Sequence, residues 1–208
     1  MDKTGTLGIY GGTFSPPHNG HYNALSAFIA ECPLDRLYVI PANVPPHKRI
    51  SPSDEPENRL AMTRLMLEDH PEWQNKLFVS DWEITQKEKS YTVYTLRHFK
   101  QYAERIIFLM GTDMLLSLHE WYKPEEICSL ADIAFMPREE SDPEISSRIF
   151  DQINRLKTDY GAKIIQLKST VLPLDSTTLR RTIFEGKRPE GICDKVYDYI
   201  KEHNLYSN

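Results

Sequence analysis

Apolar positions along this 208-residue chain fall into short runs separated by amphipathic stretches, from one end to the other. That alternation predicts repeated strand, helix, strand units. Short segments rich in Ile, Val, Leu, Phe and Tyr predict strands over 7–10, 36–41, 77–80, 105–110, 132–136 and 163–167. Between them, Leu25, Phe28, Ile29 and Cys32 share one helical face of 21–31, and Leu60, Met62, Leu65 and Met66 do likewise in 56–69. The spacing of Val93, Tyr94, Leu96 and Phe99 predicts a helix over 90–102, and that of Ile145, Ile149, Ile153 and Leu156 one over 144–157. Proline makes 41–56 and 137–143 loops, because it lacks a donor and disfavours helix at the residue before it. From Ser176 onward two short helices, 177–185 and 190–203, are split by Gly186 and Pro189. The class is α/β with a mostly parallel sheet, and 176–208 reads as a helical cap on the domain formed by 1–175.

Composition narrows this picture. Hydrophobic residues are 40% of the chain and charged ones 26%, the balance of an ordinary folded domain. The net charge of -5 argues against nucleic acid or an anionic membrane as a partner, so any bound phosphate needs a local cluster of donors. Cys32, Cys128 and Cys193 are odd in number and far apart, which suggests neither a disulfide framework nor a zinc site. No window approaches the roughly 20 apolar residues of a membrane span, and the apolar stretch near the start is too short for a signal-peptide core. The expectation is a soluble cytoplasmic protein.

Candidate chemistry gathers at strand ends. Gly11 and Gly12 follow the first strand and allow a sharp turn and close approach of backbone to a ligand. His18 and His21 come next; if the helix starts at or before His18, both imidazoles lie on one side of its first turn and reach one phosphate chain, while Gly20 leaves room for a base or sugar. The alternative is a pair of capping or surface histidines. No Walker loop or G-x-G-x-x-G pattern is present, and the neighbouring residues supply no further ligands for a zinc pair. The loop after the second strand carries His47, Lys48 and Arg49, either a phosphate clamp or a solvated basic loop. In 174–183 a serine or threonine N-cap, helix amides and Arg180 and Arg181 suit an anion, or form a plain surface helix. After the fourth strand, Gly111 and Asp113 stand where a carboxylate meets ribose hydroxyls, unless Asp113 only caps a helix. Trp121 and Tyr122 offer a platform for a flat heterocycle, or are core residues of a helical segment.

In order along the chain, GGTFSPPHNGH (11–21), PANVPPHK (41–48), SYTVYTL (90–96), GTDMLLSLHEWY (111–122), STTLR (176–180) and VYDYIKEHNLY (196–206) resemble the bacterial nicotinate mononucleotide adenylyltransferases of the H-x-G-H nucleotidylyltransferase superfamily. The resemblance implies a Rossmann-like sheet with helices on both faces and a small C-terminal helical part. It implies attack of the mononucleotide phosphate on the α-phosphorus of ATP, giving deamido-NAD and pyrophosphate, with Mg²⁺ carried on ATP. By matching positions, His18, His21, Lys48 and Arg180 are the implied catalytic set. Gly11, Gly12, Thr13, Phe14, Gly111, Asp113, Ser176 and Thr177 join His18, His21 and Arg180 around ATP, and Asn43, Lys48, Thr92, Trp121 and Tyr122 surround the mononucleotide. A homo-oligomer is compatible with it. Ser15 stands where Asp is common and Asp175 where Ser is common, and MPRE at 136–139 replaces a familiar R-P-G ending; Asp175 in particular puts a negative charge near the triphosphate. Two alternatives remain: another transferase of the superfamily, acting on nicotinamide mononucleotide, phosphopantetheine or a phosphorylated alcohol, and a nucleotide sensor that has lost catalysis.

Overall fold

Alternation along each strand divides the apolar residues between two faces of one sheet, and that division organises the protein. The computed structural model describes residues 4–44, 55–68, 70–73, 75–86, 89–137 and 143–207. In chain order the elements are β1 (Thr4–Gly12), α1 (Asn19–Glu31), β2 (Arg36–Pro41), α2 (Pro56–Glu68), β3 (Leu77–Val79), α3 (Trp82–Thr85), α4 (Thr92–Lys100), β4 (Ala103–Gly111), α5 (Thr112–Ser117), α6 (Pro124–Leu130), β5 (Asp132–Met136), α7 (Pro143–Tyr160), β6 (Ile164–Gln166), α8 (Ser176–Phe184) and α9 (Asp194–Glu202). The strands form a six-stranded sheet in the order β3-β2-β1-β4-β5-β6, and every pairing is parallel.

Because side chains alternate across a strand, Ile107, Leu109, Ala134 and Met136 enter one core while Ile106, Phe108, Ile133 and Phe135 enter the other. On the first face these meet Leu25 and Phe28 of α1, Met62 and Met66 of α2, Leu179 and Ile183 of α8, and Val196 and Ile200 of α9. On the second they meet Val93 and Leu96 of α4, Leu115 of α5, Ile127 of α6 and Leu156 of α7. The two C-terminal helices therefore share a core with α1 and α2. Strand order reverses between β1 and β4, and the crevice outside their carboxyl ends is where an open parallel sheet receives ligands.

Element boundaries differ from the sequence expectation where local chemistry outweighs periodicity. The first helix begins at Asn19, with His18 as its N-cap in extended backbone, so His18 is not inside the first turn. The last helix begins at Asp194, well after 190, because Gly191 takes the left-handed region (φ 87) and its carbonyl accepts the Asn19 amide. The short helices α3, α5 and α6 span one or two turns, too few for an apolar stripe to be readable. Trp121 and Tyr122 follow a 3-10 turn (Leu118–Glu120) and stand in irregular backbone, not in a helix.

Candidate active site

At the switch point two connected cavities form one cleft, sharing walls made by Tyr10, Thr13, His21, Gly111 and Val171. The first lobe, about 320 Å³, is lined by Gly11, Gly12, Thr92, Asp113, Trp121 and Tyr122 among others. The second, about 550 Å³, is lined by Phe14, His18, His21, Ser176, Thr177 and Arg180. The structure thus brings together most of the residues expected from sequence and sorts them into an aromatic lobe and a donor-rich lobe. Lys48 lies outside the described residues, as do His47 and Arg49 and two residues of the MPRE stretch.

The turn after β1 differs from expectation. Gly11 and Gly12 continue the strand, and the left-handed residue is Phe14 (φ 53). Its ring is buried, packs edge-on to Tyr10 at 5.6 Å and fills the place where a Cβ on Gly12 would sit, 2.8 Å from that ring. Gly12 is thus required by a phenylalanine.

His18 and His21 form a reciprocal cap on α1. The Gly20 amide donates to His18 Nδ1 at 3.1 Å, and the His18 amide donates to His21 Nδ1 at 3.2 Å. A backbone N–H can only donate, so each Nδ1 is an acceptor and the proton of each neutral ring sits on Nε2. The rings stack with centroids 3.9 Å apart, and both line the donor-rich lobe. Burial pushes the His18 imidazolium down to about 4, with the Asp175 carboxylate opposing, so near neutral pH His18 is an uncharged N–H donor. Gly20 serves this arrangement: a Cβ there would lie 2.9 Å from the His18 ring, so its space is taken by the imidazole and not left for a base or sugar.

The N-terminus of α8 closes the same lobe. Arg180 donates to the Ser15 carbonyl at 2.5 Å and to Thr177 Oγ1 at 3.2 Å, and Ser176 Oγ donates to the Pro16 carbonyl at 3.1 Å. The N-cap is Asp175, not a serine or threonine. Its carboxylate accepts from the Thr178 amide at 2.9 Å and hydroxyl at 2.8 Å, which hold it below the usual carboxylate range. The acidic departure from the family pattern is therefore a helix cap that also carries its charge into the lobe's wall.

In the aromatic lobe, α4 starts at Thr92 with no side-chain cap; the Tyr94 amide donates to the Tyr91 carbonyl at 3.0 Å, and the helix start at Thr92 lines the lobe, where backbone amides suit a negative group. The indole of Trp121 donates to Ser117 Oγ at 3.3 Å, and the Tyr122 ring lies 5.0 Å from that of Tyr91. Asp113 is the second residue of α5, whose N-cap is Gly111, so Asp113 is not the cap of that helix. A Cβ on Gly111 would meet nothing within 4 Å, so that position borders open space.

Asn43 does not line either lobe. Its amide donates to Ser90 Oγ at 2.8 Å, its side chain to the Gln86 carbonyl at 2.8 Å, and its carbonyl accepts from Arg59 at 2.8 Å. Tyr10 and Glu83 are lining residues outside every motif, and Ser90, Tyr91 and Thr95 line the lobe from within SYTVYTL without having been singled out as site residues. Tyr10 was legible only as the last large residue before the glycines, and the buried Glu83 had no signal at all, because α3 is a single turn.

Residues 9–182 match the cytidylyltransferase-like family. The chain is similar to the probable nicotinate-nucleotide adenylyltransferase of Caldicellulosiruptor saccharolyticus, with 34% identity over 201 residues, 96% of this chain and 98% of the relative. A relative of the same description from Idiomarina loihiensis is 33% identical over 210 residues, 95% of this chain and 98% of its own. Among solved structures, the Plasmodium falciparum nicotinic acid mononucleotide adenylyltransferase complexed with NaAD superposes with a TM-score of 0.72 at 18% identity, covering 97% of each chain, a likeness of fold.

Proposed function

Because the chain belongs to the cytidylyltransferase-like family, and within it to the nicotinate-nucleotide adenylyltransferases, we propose that it joins nicotinate mononucleotide to the adenylyl group of ATP, giving deamido-NAD and pyrophosphate. The observation that carries this reading is the two-lobed cleft, in which an aromatic lobe and a lobe of imidazole, hydroxyl and guanidinium donors meet at His21. The aromatic lobe suits a pyridine ring, with Trp121 and Tyr122 beside it and the uncapped start of α4 facing its carboxylate. The donor lobe suits a triphosphate, held by His18, His21, Ser176, Thr177 and Arg180, with Thr13 at the junction.

The chemistry is displacement at phosphorus. A mononucleotide phosphate oxygen forms the new P–O bond to the α-phosphorus as the bond to the β-phosphate oxygen breaks, and pyrophosphate carries away the electron pair. The attacking phosphate is already ionised, so no side chain needs to take a proton. The protein positions two anions in line and supplies fixed donors to charge that builds on the α- and β-phosphate oxygens. His21, at the junction, is the donor assigned to the transition state, and Lys48 is proposed as a phosphate contact. The donors of the second lobe suit phosphate oxygens and not a cation, and the described residues contain no group of three His, Cys, Asp or Glu that could hold a metal. Mg²⁺ is accordingly proposed to enter on ATP, where it neutralises phosphate charge. The setting proposed is cytoplasmic, and no helix of the described residues is long and apolar enough to cross a membrane.

The test is pyrophosphate release and deamido-NAD formation with ATP, Mg²⁺ and either nicotinate or nicotinamide mononucleotide. A much higher kcat/KM with the acid is expected. An equal or reversed preference overturns the acid assignment, and tight nucleotide binding without turnover makes the protein a sensor.

A further inference from the structure

Behind the aromatic lobe runs a chain of polar groups anchored by two residues outside every motif, Arg59 and Glu83. Arg59 of α2 is fully buried, and its guanidinium donates to the carbonyls of Thr13 at 3.0 Å, Ala42 at 2.6 Å and Asn43 at 2.8 Å. One side chain thereby ties the carboxyl end of β1 to that of β2. Asn43 passes the connection on through its amide to Ser90 Oγ. Glu83 of α3 is 7% exposed and accepts a hydrogen bond of 2.5 Å from Thr95 Oγ1 and another from the Ser90 hydroxyl. Ser90 and Thr95 stand on either side of Tyr91, Thr92 and Val93, where α4 begins.

Proton accounting fixes the direction of these bonds. Ser90 Oγ already accepts the Asn43 amide, so its single proton goes to Glu83, and the Thr95 proton goes to Glu83 Oε1. A carboxylate that only accepts fits both; a protonated acid or an amide must turn a donor toward one of them. Burial raises the Glu83 pKa above the usual carboxylate value, and the Thr95 and Ser90 hydroxyls and then the Arg59 charge offset part of that rise.

We propose that Glu83, backed by Arg59, is a positioning residue that holds the start of α4 at the distance and angle at which its amides receive the substrate's carboxylate. The inference rests on the proposed function, since it gives a purpose to the wall of the mononucleotide lobe. Of the two lobes of the cleft Glu83 borders the aromatic one and not the donor-rich one, so its loss acts on the mononucleotide and spares ATP.

Steady-state kinetics of the full chain test this, with KM for each substrate measured for wild type, Glu83→Gln, Thr95→Val and Thr95→Ser. Glu83→Gln and Thr95→Val are expected to raise KM for nicotinate mononucleotide roughly tenfold, as loss of one hydrogen bond to a charged group does. KM for ATP should change less than twofold. Thr95→Ser, which keeps the hydroxyl, should restore wild-type values, and the double variant Glu83→Gln with Thr95→Val should be no worse than the poorer single one, as for two members of one unit. If Glu83→Gln does not fold, the Thr95 pair carries the test. Equal rises in both KM values, additive effects, or a Thr95→Ser as impaired as Thr95→Val overturn the inference while leaving the proposed function standing. A wild-type protein that does not turn over nicotinate mononucleotide overturns both.

Discussion

At the scale of single residues, the two histidines each spend Nδ1 on a structural bond, which puts the proton of the neutral ring on Nε2. Both rings line the donor-rich lobe, and with Nδ1 engaged by backbone amides the proton each can offer there is on Nε2. Replacing His21 by Ala removes the donor at the junction and is expected to lower kcat by on the order of a hundredfold or more, measured as initial pyrophosphate release. His18 permits a cleaner separation of roles, because Asn is among the best N-caps and His18→Asn should keep α1 capped while deleting the Nε2 donor. It also predicts a pH effect of definite sign. The His18 pKa lies near 4 in the folded protein against an ordinary 6.5, so stability is full above 6.5 and is lost as pH falls toward 4, where the unfolded chain binds a proton the folded one refuses. That loss is about 3 kcal/mol near pH 4, and urea unfolding at pH 7 and pH 4.5 should show a smaller acid-side loss in His18→Asn than in wild type. The identity of these residues was readable in the H-x-G-H spacing. The reason for Gly20 was not, because the atom it makes room for belongs to the His18 ring two residues back.

At the scale of elements, α8 shows how a departure from a familiar pattern can be absorbed. Asp175 caps the helix with two bonds from Thr178, yet its carboxylate lies in the wall of a lobe suited to polyphosphate. Serine is also a good N-cap, so Asp175→Ser should change stability by less than about 1 kcal/mol. Removal of the negative charge should lower KM for ATP roughly two- to fivefold, the weight of a solvent-screened charge pair, with less effect at high salt; an unchanged or higher KM would show that the cap is its whole role. The strands and longer helices were legible because their apolar periods extend over enough residues to register. What escaped reading were the single-turn helix α3, which carries Glu83, and the irregular backbone after Glu120, where Trp121 and Tyr122 were recognised as residues but expected in a helical segment. Their placement comes from contacts distant in sequence, such as Thr95 with Glu83, which no local pattern encodes.

At the scale of the molecule, the cleft is assembled from both ends of the chain. Arg180 reaches back 165 residues to the Ser15 carbonyl, Ser176 reaches Pro16, and the Gly191 carbonyl takes the amide of Asn19 at the head of α1. The helices that carry these groups also fill the first face of the sheet through Leu179, Ile183, Val196 and Ile200. This closure has a consequence for synthesis. During translation the glycine-histidine segment emerges well before α8, so its phosphate lobe gains that wall late and a product that stops short of α8 carries no partial activity. A chain ended after Leu174 should show neither turnover nor a cooperative calorimetric transition, although it keeps all six strands and both histidines. Activity would then report that synthesis had run past α8.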